Sequence, residues 1–229
     1  MLHKYANWYA KLDMKLRNTI NIDTTNKCSL KCPACARQIR HLDGKFPGGD
    51  ISLDDFRKLA KHFDKIHLNG QLSDPTLHDN FHSLLKICIE ENTHLMIHNA
   101  STARSYAWYL KAFNLSKKGN IKWFFAIDGL PEDSHKYRIN QDGKKLYKMM
   151  QLCSSMGIET HWNYIIFNYN ENDVETAKKM ARSIGVKFNL IRSSRWEKEI
   201  GMDKYKPSDP KNHLERDFFD YYHKKPRVL

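Results

Sequence analysis

Thr19-Ile20-Asn21-Ile22-Asp23 runs through Thr24-Thr25-Asn26-Lys27 into Cys28-Ser29-Leu30-Lys31-Cys32-Pro33-Ala34-Cys35, and this junction decides how the rest of the chain reads. The first five residues alternate polar and apolar side chains and include β-branched ones, the pattern of a strand. The cysteines that follow, spaced C-x3-C-x2-C, gather three thiols on one short loop. Thiolates are soft ligands suited to iron–sulfur clusters, and an ordinary [4Fe–4S] cluster takes four of them. A cluster held by three leaves one iron open to other chemistry.

Outward from this junction, strands and helices alternate. Ser52-Leu53-Asp54-Asp55 is an acidic variant of a capping box, followed by Phe56, Leu59, Ala60 and Phe63 on one helical face. Lys65 to Asn69 reads as a second strand, and Thr76 as the cap of a helix carrying Leu77, Phe81, Leu84, Leu85 and Cys88. His94 to His98 alternates as strand three, and a helix is expected over Arg104 to Phe113. Ile121 to Ile127 is almost wholly apolar, as a strand buried on both faces should be. Lys144 to Met156 reads as a helix ended by Gly157, and Glu159 to Phe167 as strand five. Asn172 and Glu175 open another helix that ends at Gly185, before strand six from Val186 to Ile191.

Such alternation implies parallel strands joined by right-handed crossovers. Eight units make a closed barrel of about 250 residues. With 229 residues there is room for six, so the expected fold is α/β: an open (βα)6 partial TIM barrel. One domain spans 1–229, with a barrel core over about 19–192 and a tail over 193–229. A short N-terminal amphipathic helix carries Tyr5, Trp8, Tyr9, Leu12 and Leu16, and a tail helix is expected over about 211–223. In parallel barrels chemistry sits at the C-terminal ends of the strands. The cysteine loop lands there, with Asn69-Gly70-Gln71, Asn99-Ala100-Ser101-Thr102, Asp128-Gly129, Phe167-Asn168 and Arg192-Ser193.

Composition narrows the class. Hydrophobic residues at 41% and aromatics at 12% suffice for a real core. No apolar run approaches the ~18 residues of a membrane span, and no signal-peptide pattern opens the chain, so a cytoplasmic protein is expected. Five cysteines in such a chain argue against a disulfide framework. Cys88 and Cys153 read as buried small hydrophobes. The net charge of +12 is uneven: Lys178 to Leu229 carries 14 Lys/Arg against 7 Asp/Glu, a local excess of +7. It suits an acidic electron donor such as flavodoxin or ferredoxin, an anionic substrate, or nucleic acid.

The loop of Cys28, Cys32 and Cys35, placed after the first strand of six, resembles the cluster-binding signature of the radical S-adenosylmethionine superfamily. The resemblance spans about residues 19 to 192, and among such enzymes the chain is similar to a compact member without a C-terminal extension for auxiliary clusters. It implies a [4Fe–4S] cluster on those three cysteines and S-adenosylmethionine (SAM) chelated to the open iron. It further implies reductive cleavage of SAM to a 5′-deoxyadenosyl radical that abstracts hydrogen from a substrate. The family usually has Gly-Gly-Glu after strand two; here Asn69-Gly70-Gln71 stands there, with Asp74 as a candidate for the missing carboxylate. Asn99 and Ser101 resemble the polar turn after strand three. Asp128 and Arg138 resemble the fourth-strand segment of peptide- and cofactor-modifying members, with Arg138 facing the cofactor carboxylate. The family's usual aromatic before the third cysteine is replaced by Ala34.

His161 and Asn163 share one face of strand five and, with Arg192 and Arg195, are the candidate substrate contacts; no catalytic side chain is singled out. The substrate classes that fit are a peptide or protein, a nucleotide-like small anion, and tRNA. Two other readings stay open. One is a structural zinc site of Cys28, Cys32, Cys35 and His41, and the other a non-catalytic RNA-binding protein whose Trp, Tyr and Arg residues stack bases.

Overall fold

The computed structural model describes residues 18–40, 48–196, 198 and 201–214. The expected N-terminal helix and His41 lie outside these residues, as does most of the expected tail helix. Six strands, β1 (Thr19–Ile22), β2 (Lys65–Leu68), β3 (His94–Asn99), β4 (Ile121–Ala126), β5 (Thr160–Ile165) and β6 (Lys187–Ile191), pair in parallel and in sequence order. β1 and β6 are the two edges of the sheet, so the barrel is open. Helices fill the crossovers that parallel strands require: α1 (Ala36–Arg40), α2 (Leu53–His62), α3 (Phe81–Glu90), α4 (Tyr106–Ser116), α5 (Gly143–Ser155) and α6 (Val174–Ser183). No helix among the described residues is long and apolar enough to cross a membrane.

Local chemistry explains most boundaries. The Ser52 hydroxyl accepts from the Asp55 N–H at 3.1 Å, and Asp54 and Asp55 sit in the first turn of α2 while Lys61 and His62 sit in its last. That is the charge order favoured by the helix dipole. Thr76 does not cap α3, as its sequence position suggested. Asp74 instead accepts from the Thr76 N–H at 3.0 Å and caps a 3-10 turn, Pro75–Leu77; α3 begins only at Phe81. After β6 the tail makes a 3-10 turn at Pro210–Asn212, and His213 pairs with Ser193, so no helix starts at residue 211.

The core lies between the sheet's outer face and the helices. Ile66, Leu68, Leu95, Ile97, Trp123, Phe125, Trp162 and Tyr164 are buried there against Phe81, Phe113, Leu146 and Met150. Cys88 and Cys153 belong to this core, and burial pushes both thiols up to about 12. Expected to be buried on both faces, β4 is buried on one: Ile121, Trp123 and Phe125 are covered by helices, while Lys122, Phe124 and Ala126 are half-buried on the inner face. An open barrel leaves that inner face partly wet, and His98, Lys122, His161 and Asn163 stand on it among apolar residues.

Glu159 closes the lower end of the inner face. It accepts from Lys187 at 2.7 Å, Lys122 at 2.9 Å and His161 Nε2 at 3.0 Å, linking β4, β5 and β6. The Lys187 and Lys122 hydrogen bonds, then that of His161, hold its carboxyl down at about 2, below the ordinary 4.5. A carboxyl depressed on folding stabilises the protein in full above its unfolded pKa, and that stability is lost as pH falls towards the folded value. The urea midpoint of the wild type should therefore drop between pH 4.5 and about 2. Glu159→Gln should lower the midpoint at pH 7 and make that acid slope shallower; an unchanged slope would refute the assignment.

Candidate functional site

The cysteine loop is tied to the loops after β2, β3 and β4. The Asp74 N–H donates to the Lys27 carbonyl at 2.9 Å, and the Lys31 N–H to the Ile139 carbonyl at 3.1 Å. The Ser29 and Ser101 hydroxyls meet at 2.8 Å, and the Arg37 guanidinium donates to the Asn26 carbonyl and, at 3.1 Å, to the Leu72 carbonyl. Around this loop lies a second apolar cluster, separate from the main core. It contains Leu30, Cys32, Ala34, Tyr137, Phe167 and Met202, with Cys28, Cys35, Tyr169, Trp196 and Tyr205 packed against it. Ala34 is buried in this cluster, whose aromatics come from other loops, among them Tyr137 and Phe167 with ring centres 4.3 Å apart.

Burial pushes the Cys28 thiol up to about 12, helped by the charge of Asp74 and by Cys32 and Cys35, while the Leu30 N–H works the other way. Cys32 is also raised, first by burial, with the Arg138 guanidinium opposing the shift. The thiols are therefore near enough to disfavour one another's ionisation. Yet among the described residues no three His, Cys, Asp or Glu side chains converge on one point as a single metal ion requires. Iron atoms at separate corners of a cubane ask for thiolates distributed around a volume. The donor set, the apolar shell and the need for a compensating cation all fit such a cluster.

The residues expected to hold SAM divide into two groups. Gly70 has φ +60°, and a Cβ there would stand 2.2 Å from the Ser73 carbonyl oxygen, so only glycine fits this turn. The turn brings the Gln71 carbonyl to 3.9 Å from Cys35 Sγ, with the Gln71 side chain exposed and Asn69 donating to the Asn21 side chain at 2.8 Å. Ser101 is buried, with its hydroxyl against Ser29. Arg138 donates from Nε to Asp128 at 2.7 Å, and Asp128 also accepts from the Ile165 N–H at 2.8 Å. Burial pushes the Asp128 carboxyl up and Arg138 resists that shift; Asp128 and Cys32 in turn push Arg138 upward against the effect of its own burial.

Asp74 and Asn99 are buried among the loops. The Asp74 carboxylate accepts from the N–H groups of Thr76, Ala100 (2.8 Å) and Ser101 (2.7 Å), from the Thr76 hydroxyl and from the Asn99 amide. Asn99 is fully buried, its carbonyl accepting from the Tyr109 hydroxyl at 2.8 Å. Both side chains are spent on holding loops together, so the carboxylate proposed to replace the family's glutamate is not free to do so.

On the inner face, Phe124 is stacked between His98 (4.5 Å) and His161 (4.2 Å). Asn189 donates to Asn163 at 2.9 Å, and Asn163 meets His98 Nδ1 at 3.4 Å. Burial pushes His98 down to about 4, with His67 and His161 adding to the effect, so it is neutral at pH 7. His161 and Asn163 face inward together, and Trp162 faces the core. Arg192 and Arg195 do not join them: Arg192 is exposed beyond β6, and Arg195 reaches the Ala34 carbonyl at 3.4 Å on the rim. Three residues had escaped notice. Ser29 lies between the cysteines and was legible as a polar group inside a ligand loop. Gln141 donates to the Ala100 (2.7 Å) and Ala126 (2.9 Å) carbonyls, and the Asn170 side chain accepts from the Phe167 N–H at 2.8 Å. Both sit in polar loops where nothing local marks a buried side chain.

No family model matches the sequence, and no curated protein matches it either. Solved structures do share the fold. Streptococcus suis SuiB bound to its precursor peptide SuiA superposes with a TM-score of 0.67 at 14% identity, over 91% of this chain and 47% of that one. A histidine-tagged anSMEcpe with bound AdoMet gives 0.63 at 15% identity, over 85% and 54%. Methylornithine synthase (PylB) gives 0.53 at 16%, over 75% and 52%. The chain spans about half the length of these proteins.

Two substitutions test the scaffold. Asp74→Asn places amide hydrogens against N–H donors and should cost about 1–3 kcal/mol for each group left unsatisfied, read by urea unfolding. Asp128→Ala leaves Arg138 buried without its counter-ion and should cost about 3–5 kcal/mol. Adding Arg138→Met to Asp128→Ala should recover much of that loss; a strictly additive double variant would contradict the pairing.

Proposed function

We propose that this chain is a radical SAM enzyme that acts on a peptide. The observation that carries this reading is the position of Cys28, Cys32 and Cys35: on the loop after β1, inside an apolar cluster, at the C-terminal mouth of an open six-stranded parallel barrel. The shared fold with two proteins solved with S-adenosylmethionine bound supports it. SuiB bound to SuiA and anSMEcpe with a Cp18Cys peptide support the substrate class.

In this reading the three cysteines hold a [4Fe–4S] cluster. Held there, such a cluster would supply the single electron needed for reductive cleavage of SAM and so for hydrogen abstraction from substrate. The chain's own residues do the positioning. The tight turn at Gly70 holds the Gln71 carbonyl beside Cys35, a hydrogen-bond acceptor for the cofactor's amino group. Arg138, fixed by Asp128 next to Cys32, provides a cation for the cofactor's carboxylate. Ser29 and Ser101, hydroxyl to hydroxyl, tie the cysteine loop to the turn after β3. The aromatic cluster excludes water from the reacting atoms, which spares a radical from side reactions. Substrate enters over the inner face, where His98, Phe124, His161, Asn163 and Asn189 present stacking surface and hydrogen-bonding groups. An acidic electron carrier suits the net charge of +12.

Anaerobic reconstitution with iron and sulfide should give a brown protein whose spectrum changes on adding SAM. With dithionite it should release 5′-deoxyadenosine, and Cys32→Ala should abolish both cluster and release. A colourless protein that takes up one zinc and cleaves no SAM would sink the proposal.

A further inference from the structure

Beyond the end of β6 the chain builds a second cavity, outside the barrel and next to the cysteine loop. The Ser193 carbonyl accepts from the Leu214 N–H at 3.1 Å, so the returning tail is pinned beside the strand extension. Between them lies a cavity of about 940 Å³, at the upper end of the ~300–1,000 Å³ typical of ligand sites. Arg192, Lys206, Lys211 and His213 supply its polar lining, and Trp196 and Leu214 its apolar lining; among the described residues no carboxylate lines it. Lys211 is paired with Asp209, but Arg192 and Lys206 have no carboxylate partner among the described residues. Trp196 also belongs to the apolar cluster around the cysteines, and its buried indole N–H has no hydrogen-bond partner among the described residues. Cavity and candidate active site therefore share a wall.

We infer that this cavity binds an acidic peptide segment with an apolar side chain, and so anchors the substrate while a neighbouring part of it reaches the barrel mouth. The inference rests on the proposed peptide-modifying function and names the part of the substrate recognised. Unpaired cations beside apolar walls complement carboxylates interleaved with aliphatic groups. A pocket so bounded suits a short segment better than a nucleic-acid strand, which asks for a cationic track with exposed aromatic faces. Trp196 offers little such face, since it packs against Phe167 at 6.0 Å and His213 at 6.4 Å.

Binding can be read without any cluster, so this test separates from that of the enzyme class. Fluorescence anisotropy of the full chain would use a fluorescein-labelled heptapeptide of glutamates around a central leucine, its glutamine counterpart, and a labelled decauridylate. The acidic peptide should bind, weaken as salt rises, and weaken at least tenfold in Lys206→Glu/Lys211→Glu, while Lys206→Arg keeps its affinity. In reconstituted protein, Lys206→Glu/Lys211→Glu should leave peptide-free 5′-deoxyadenosine release unchanged. Equal binding of the glutamine peptide, binding of decauridylate alone, or affinity untouched by the charge reversal would each overturn the proposal.

Discussion

One buried carboxylate holds the mouth of this barrel in register. Asp74 gathers the N–H groups of Thr76, Ala100 and Ser101 on its side chain, and its own N–H donates to the Lys27 carbonyl. The loops after β1, β2 and β3 are thus joined through one residue. Buried acceptors of this kind are costly when unmatched and strong when fully satisfied. The cysteine loop has little regular structure of its own and takes its shape from such ties. The Asp74 charge also adds to the burial that pushes the Cys28 thiol up to about 12, so the group that positions the loop also acts on its first cysteine.

A second tie works from the other side. Arg138 and Asp128 form a buried ion pair beside Cys32, and Gln141 fastens the ends of β3 and β4 through the Ala100 and Ala126 carbonyls. A buried ion pair gives little net stability against an apolar alternative, because both charges lose their hydration. What it does give here is direction: the Arg138 guanidinium is held by Asp128, and Asp128 is itself held by the Ile165 N–H at the end of β5. A cation fixed in that way can discriminate a carboxylate by geometry, where a surface lysine would only attract it.

The alternation of strands and helices was legible because period-2 and period-3.6 patterns each ran long enough to be distinguished, and the sheet order followed from short crossovers. The place of the three cysteines, on the loop after β1, was legible because they directly follow the first strand pattern. The roles of Asp74 and Asn99 were not. Both stand in polar turns where a cofactor contact and an internal tie look alike, and only the partners at 2.7 and 2.8 Å separate them. The inner face of β4 was misjudged for a related reason. Phe124 reads as core in a run of apolar residues, but an open barrel places it between two imidazoles.

That stack gives the barrel a particular electrostatic division. Inside, burial pushes His98 down to about 4, so it is neutral at pH 7, and Lys122 and Lys187 at the lower end share the single carboxylate of Glu159. Outside, Arg192 and Lys206 face their cavity without carboxylate partners among the described residues. A substrate that carried its charge past the His98–Phe124–His161 stack would lose hydration against a neutral imidazole and an aromatic ring. A substrate that left its carboxylates at the outer cavity and sent in only a neutral side chain or backbone would avoid that cost. In the proposed reading, recognition by charge and reaction at a neutral group fall to different surfaces, joined through Trp196 and the aromatic cluster around the cysteines.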